Sequence, residues 1–303
     1  MPPFTRLFGK LTRPPRVHFF DIKSLVGPFS PNTIRTRLSL NYKRIDYTES
    51  AISYADIKAL YADLGLPATQ NRGQTQSSPK YTLPVILIET VPENHESLQT
   101  TGSFLLNLAL QGKLDYEASR AVCGTLPIAR ALDTCFPPPN WKVLFPFQQS
   151  DKQTEEVQRC ITRAVGVARR LILPRVPKVL DERGRKYFVD TRTTWFGVEA
   201  LDELGPKSET EATQLWVEMT RELESITNML SKGKGGGPFI NGDVPSYPDF
   251  IVVAFLAWFQ RVDEQASERL LEFGNGELQR LWHACKPWLS GQGEVIEWDV
   301  ESS

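Results

Sequence analysis

A proline stands inside the most strand-like stretch of the chain. Residues 81–89, YTLPVILIE, have the apolar, β-branched character of a buried strand, yet Pro84 removes a ladder donor that a central strand cannot spare. The economical resolution is a turn ending at a cis Leu83–Pro84 bond, with the strand starting after it. The Leu83 backbone is then turned out of the sheet, free to pair with something that is not protein. Around this point the pattern alternates. VHFFDI (17–22) reads as a strand and 31–42 as a helix with Ile34, Leu38 and Tyr42 inward. RIDYT (44–48) reads as a second strand, 52–66 as a helix ending at Gly65, 97–100 as a fourth strand and 102–111 as a closing helix. A βαβαββα unit over residues 17–112 obeys the connection rules.

The remainder, 113–303, reads as all-helical, with helices expected over 115–134, 152–173, 185–204, 207–231, 247–265 and 276–289. Proline punctuates it at Pro137–Pro139, Pro174 and Pro177. Its clearest boundary is SYPD at 246–249, a capping box in which Asp249 reaches back to Ser246, flanked by a Pro245–Phe250 hydrophobic staple. The apolar run FIVVAFLAWF (250–259) is half the roughly 20 residues that a bilayer needs, so it is expected to be a buried helix. Residues 1–16 show no secretory h-region and are expected to be a disordered basic arm on a cytoplasmic protein, with a mitochondrial presequence as the alternative.

Among 303 residues, 35 basic and 36 acidic side chains are interspersed, which argues against a nucleic-acid surface. Cys123, Cys135, Cys160 and Cys285 form no CxxC pair, and with His18, His95 and His283 scattered no metal site is expected. Arg35 with Arg37, and Lys43 with Arg44, read as a solvated helix face and its end. KGKGGGP (232–238) follows a helix rather than a strand and reads as a connector, not a phosphate loop.

GPFSPNTIRT (27–36) carries two readings. Ser30 is suited to cap the helix, with Pro31 at its first position. A hydroxyl at a helix mouth is equally suited to donate to an anion, since the dipole and free N–H groups already favour negative charge there.

Taken in order, FDI (20–22), FSPNTIRTRLSLNYK (29–43), YTLPVI (81–86), YFVDTRTTWFG (187–197) and GPFINGDVPSYPDF (237–250) resemble the glutathione transferase superfamily, in the fungal branch related to bacterial β-etherases. The resemblance runs from about residue 17 to 290. It implies a thioredoxin-like glutathione-binding domain followed by an all-helical acceptor domain, an α+β two-domain fold. It also implies that Ser30 donates to the glutathione sulfur, lowering a thiol pKa that starts near about 8.5. Asn32 and the first-turn N–H groups would assist. Leu83, before cis Pro84, would pair with the cysteinyl backbone. Ser103 would hold the γ-glutamyl carboxylate, while Gly102 stands where the family places an acid for the γ-glutamyl ammonium, with Glu96 a candidate replacement. Phe29, Tyr187 and Trp195, with Phe188 and Phe196 beside them, would line a pocket for an apolar or aromatic electrophile. Serine in place of cysteine points to conjugation or ether cleavage rather than disulfide chemistry. The resemblance further implies a homodimer and a role in detoxification or secondary metabolism; the alternative is a non-catalytic ligand-binding or scaffold protein of the same fold.

Overall fold

Val17, Phe19, Phe20 and Ile22 are all buried, and the strand they form runs through the middle of a sheet covered on both faces. In the computed structural model, which describes residues 13–68, 80–89, 108, 111–115 and 118–298, the sheet has five strands in the order β4-β3-β1-β2-β5. They are β1 (Val17–Ile22), β2 (Thr48–Ile52), β3 (Val85–Glu89), β4 (Ser119–Cys123) and β5 (Glu294–Val295). β1 is parallel to β2 and antiparallel to β3, and β3 is antiparallel to β4.

α1 (Pro31–Lys43) follows β1, and α2 (Ile57–Asp63) follows β2 after a 3-10 turn, Tyr54–Asp56. The second strand lies four residues later than expected. TESAI has too many polar side chains to read as a strand, because each is matched by a partner elsewhere in the chain: Thr48 by His18, Glu49 by Arg37, and Ser50 by the carbonyl of Ile296. The cis Leu83–Pro84 bond is present, and β3 begins directly after it. A second cis bond joins Pro138 and Pro139.

The fourth strand is not where the sequence placed it. The expected strand at 97–100 lies outside the described residues, as does most of the expected helix over 102–111. The strand that pairs with β3 is instead 119–123, inside a segment expected to be helical, and α3 (Thr125–Cys135) follows it. The sheet-bearing half therefore continues past residue 112, through Cys135.

Beyond it stand α4 (Ser150–Ile172), α5 (Glu182–Phe196), α6 (Glu209–Ser231), α7 (Tyr247–Val262), α8 (Glu264–Leu271) and α9 (Glu277–Cys285). α7 is the central post, buried from Tyr247 to Phe259. Its start is the capping box: Asp249 accepts from the N–H and hydroxyl of Ser246 at 2.8 Å each, and from the N–H of Ile240 at 2.8 Å.

α1 is wedged between the sheet, α3 and α7, which overturns its expected solvated face. Arg35, Arg37 and Lys43 are all buried. Arg37 pairs with Asp21 at 2.8 Å and Glu49 at 2.6 Å, and Lys43 with Asp133 at 2.8 Å, so these charges enter the interior already matched. The chain end then returns to the first half. β5 lies parallel to β2, and Asn41 donates to the carbonyls of Trp288 and Ser290 at 2.8 Å each.

Candidate functional site

The strand register brings four connections to one end of the sheet. Ile22 pairs with Ile52 at the ends of β1 and β2, and Val85 pairs with Cys123 where β3 starts and β4 stops. Ser30, Ser53–Tyr54, Leu83–Pro84 and Gly124–Thr125 all leave from this end. Backbone ends and helix mouths gathered at the carboxyl ends of parallel strands make the usual ligand crevice of such sheets.

Ser30 occupies the N-cap position of α1 in extended backbone geometry, with Pro31 at the first helical position as expected. Its hydroxyl, however, accepts no hydrogen bond from the helix. The backbone carbonyl does the capping, accepting from Ile34 N–H at 2.9 Å and from the Thr33 hydroxyl at 3.2 Å. The plain side-chain cap is therefore not what Ser30 supplies, and its hydroxyl is left at the positive end of a thirteen-residue helix. Phe29 beside it is buried, and Asn32 is exposed on the first turn.

Pro84 sits next to the start of α3, where Gly124 N–H donates to its carbonyl at 3.1 Å. Gly124 has φ of 87°, a conformation that L side chains rarely adopt, so glycine lets the chain turn from β4 into α3 in one residue. Thr125 is the first residue of that helix. Gly102 and Ser103, expected at this helix mouth, lie outside the described residues; Gly124 and Thr125 occupy the mouth. The short, half-exposed strand SRAVC gave the sequence too little alternation to reveal this. The better signal was its flanks, a glycine followed by a proline-bearing helix start.

Beneath Thr125 the interior is polar. Burial pushes the Tyr247 hydroxyl pKa up, with Arg35 and Thr125 beside it pulling it back. Arg35 itself is 5% exposed and donates to Gln158 at 2.6 Å, with no carboxylate partner among the described residues.

α5 closes one side of the crevice. Leu25 N–H donates to Val179 O at 2.8 Å, tying the loop that leads to Ser30 to the segment before α5. Asp181, the N-cap of α5, accepts from Gly184 N–H at 3.1 Å and from the Ser53 hydroxyl at 2.9 Å; Arg183 pairs with Asp56 at 2.5 Å. Asp181→Ala removes a cap and an anchor together, so a loss of about 1–2 kcal/mol is expected in denaturant unfolding. Of the expected aromatics, Trp195 is half-buried and stacked on Phe196, while Tyr187 is 40% exposed. Phe188 is the ring that meets Tyr54, with centroids 5.5 Å apart.

Cys123 ends β4 at this crevice, but burial raises its pKa, as it does for Cys135, Cys160 and Cys285, which keeps all four as thiols. Two hydroxyl-bearing residues, Ser30 and Thr125, stand at the helix mouths of this crevice. Among the described residues no helix is long and apolar enough to cross a membrane.

Comparison with known proteins bears on the family and the fold. Residues 157–288 match the family "Glutathione S-transferase, C-terminal domain". A "Glutathione S-transferase-like protein ustS" of Aspergillus flavus is 37% identical over 292 residues, covering 94% of this chain and 95% of its own. In fold, the chain is similar to a glutathione S-transferase of Ceriporiopsis subvermispora solved in complex with glutathione, with TM-score 0.70, 24% identity and coverage of 90% of this chain and 97% of the other. It is also similar to glutathione transferase GSTFuA3 of Phanerochaete chrysosporium, with TM-score 0.69, 23% identity and coverage of 91% and 97%. The relative sharing more than a third of its residues along nearly the whole length carries the assignment: the chain belongs to the glutathione S-transferase family.

Proposed function

We propose that this protein is a glutathione transferase that adds or exchanges the glutathione thiolate on an apolar or aromatic electrophile, by conjugation or by ether cleavage. The observation that carries the proposal is the Ser30 hydroxyl, unspent by its own helix and standing at that helix's positive end. A donor and a dipole at that point favour thiolate over thiol, the more nucleophilic form. Asn32 and the first-turn N–H groups add donors. Leu83, beside Pro84, offers its backbone to the cysteinyl unit.

The γ-glutamyl carboxylate is assigned to Thr125 and the mouth of α3, the place that the resemblance gave to Ser103. Gly124 stands where it gave Gly102, so the missing acid for the γ-glutamyl ammonium remains missing at this position. Thr125→Val, which removes the hydroxyl and keeps the N–H, is expected to weaken glutathione binding about tenfold, as lost charge-assisted hydrogen bonds do. Phe29, Trp195 and Tyr187 are assigned to the acceptor side. Membership of the fungal β-etherase-related branch, a homodimeric state, a cytoplasmic location and a role in detoxification or a tailoring step of secondary metabolism belong to the same proposal. The Ceriporiopsis neighbour was solved with glutathione, which supports the choice of thiol.

The test is calorimetric titration of glutathione into the purified protein, with thiolate absorbance followed against pH. Binding in the micromolar-to-millimolar range, with a thiol pKa below that of free glutathione, is the expected result. No binding at several millimolar would overturn it, and the non-catalytic reading, to which Gly124 already points, would take its place.

A further inference from the structure

Among the cations of the sheet-bearing half and its junction with α5, buried Arg37 pairs with Asp21 and Glu49 and buried Lys43 with Asp133, the exposed Arg13 and Arg183 pair with Glu89 and Asp56, and buried Arg35 donates to the side-chain amide of Gln158. Arg192, nine residues after Arg183 on α5, is different. Its one hydrogen bond runs to the neighbouring Thr191 hydroxyl at 2.9 Å, and no carboxylate lies within ion-pairing distance among the described residues. Aromatic rings surround it instead. The guanidinium carbon lies 4.7 Å from the Phe188 ring centre, 5.4 Å from that of Trp195 and 5.7 Å from that of Tyr54.

The helix explains part of this box. Phe188, Arg192 and Trp195 follow one another at four- and three-residue spacing and share one face of α5. Tyr54 comes from the other half of the molecule, on the turn after β2, at the same end of the sheet as Ser30. Burial lowers the affinity of Arg192 for its proton, with Tyr54 and Tyr187 opposing, so the charge is held partly out of water. Ring faces stabilise such a cation, but less than a good carboxylate does. They also hold the planar fork in place, leaving N–H groups unspent in a geometry suited to a carboxylate.

We propose that Arg192 recognises a carboxylate on the acceptor substrate, and that the electrophile is therefore an aromatic compound bearing an acidic group. The inference rests on the glutathione-transfer reading of the Ser30 site. Arg192 makes and breaks no bond. The glutathione sulfur forms a bond to the electrophilic carbon, the leaving group departs with its electron pair, and Arg192 fixes which end of the acceptor enters the crevice. An acceptor of this kind is the product of chemistry that leaves a free acid beside an activated ring.

The test separates binding from turnover. 3-Nitrobenzoate and methyl 3-nitrobenzoate, an unreactive acid and its neutral ester, are titrated into the full-length protein by calorimetry at low and at high salt. The parent should bind the acid at least tenfold more tightly than the ester, with the preference shrinking in high salt. Arg192→Met should remove the preference while leaving ester affinity within about twofold, the methionine keeping the packing against the rings. Arg192→Lys should retain part of it, having the charge without the fork. Equal binding of acid and ester by the parent overturns the proposal, and so does an undiminished preference in Arg192→Met. If Arg192→Met fails to fold, the parent and Arg192→Lys comparisons decide by the same criteria.

A reactive pair, 4-chloro-3-nitrobenzoate and its methyl ester, then links this to turnover: thiolate displaces chloride, and KM for the acid alone should rise in Arg192→Met. The two readings fail separately. Glutathione binding with a lowered thiol pKa but no acid preference removes this inference and leaves the transferase reading. An Arg192-dependent acid preference without glutathione binding does the reverse.

Discussion

Ser30→Ala is expected to lower turnover of a conjugation substrate about 10- to 100-fold and to leave the folded state almost as stable as before. The size follows from the chemistry. If the hydroxyl lowers the bound thiol pKa by about one to two units, its loss returns that much thiolate to thiol, about 1.4 kcal/mol per unit. Stability is spared because the hydroxyl makes no bond to α1; the Ser30 carbonyl, which alanine keeps, receives Ile34 N–H and the Thr33 hydroxyl. Thiolate absorbance of the glutathione complex should shift upward in pH toward the free thiol, near about 8.5, with an unchanged melting temperature. A variant as fast as the parent would remove Ser30 from the reaction.

The largest loss of stability is expected from Asp249→Ala. Three donors converge on this carboxylate, from Ile240 and Ser246, and both Asp249 and Ser246 have 0% exposure. Alanine strands all three without water, at roughly 3–5 kcal/mol, and in a chain of this size a melting temperature lower by about 10 °C follows. A pH signature accompanies it. Burial raises the Asp249 pKa to about 6, above the 3.8 of an exposed aspartate. The folded state therefore binds the proton more readily than the unfolded chain. The resulting stability is fully present below the unfolded pKa and is lost as pH rises through about 6. Between parent and variant, the gap in unfolding free energy should thus widen on going from pH 7 to pH 4.5. A constant gap would mean that the carboxylate stays ionised throughout.

The sequence was informative wherever one local rule decided the outcome. Pro84 in an apolar strand demanded a turn, SYPD demanded a helix start, and the helices expected over 152–173, 207–231 and 247–265 formed within a few residues of those bounds, whereas the one expected over 185–204 stops at Phe196 and α8 was not foreseen as a separate helix. It was silent where a residue is explained by a distant partner. Arg35, Arg37 and Lys43 read as surface charges because Gln158, Glu49 and Asp133 are invisible to a local window. β2 was displaced for the same reason, and β4 because five residues with one fully buried position carry almost no alternation. At the candidate site, Ser30, Leu83 and Pro84 were legible from the helix mouth and the proline. Thr125 depended on finding β4 first. Tyr54 and Arg192 meet only because α5 folds back over the turn after β2.

The return of the chain end to the sheet sets an order of events during synthesis. Ser50 and Ile296 are hydrogen bonded across 246 positions, and β5 covers the edge of β2. A ribosome releases the first half long before the residues that complete its sheet, so β2 waits as an open edge, the kind that pairs with other chains. The partners that β2 already has at that stage are polar: His18 on Thr48, Arg37 on Glu49. Matched polar side chains on an unfinished edge make it a poor template for a second apolar strand, and the nascent first half is thereby shielded until residues 294–296 arrive.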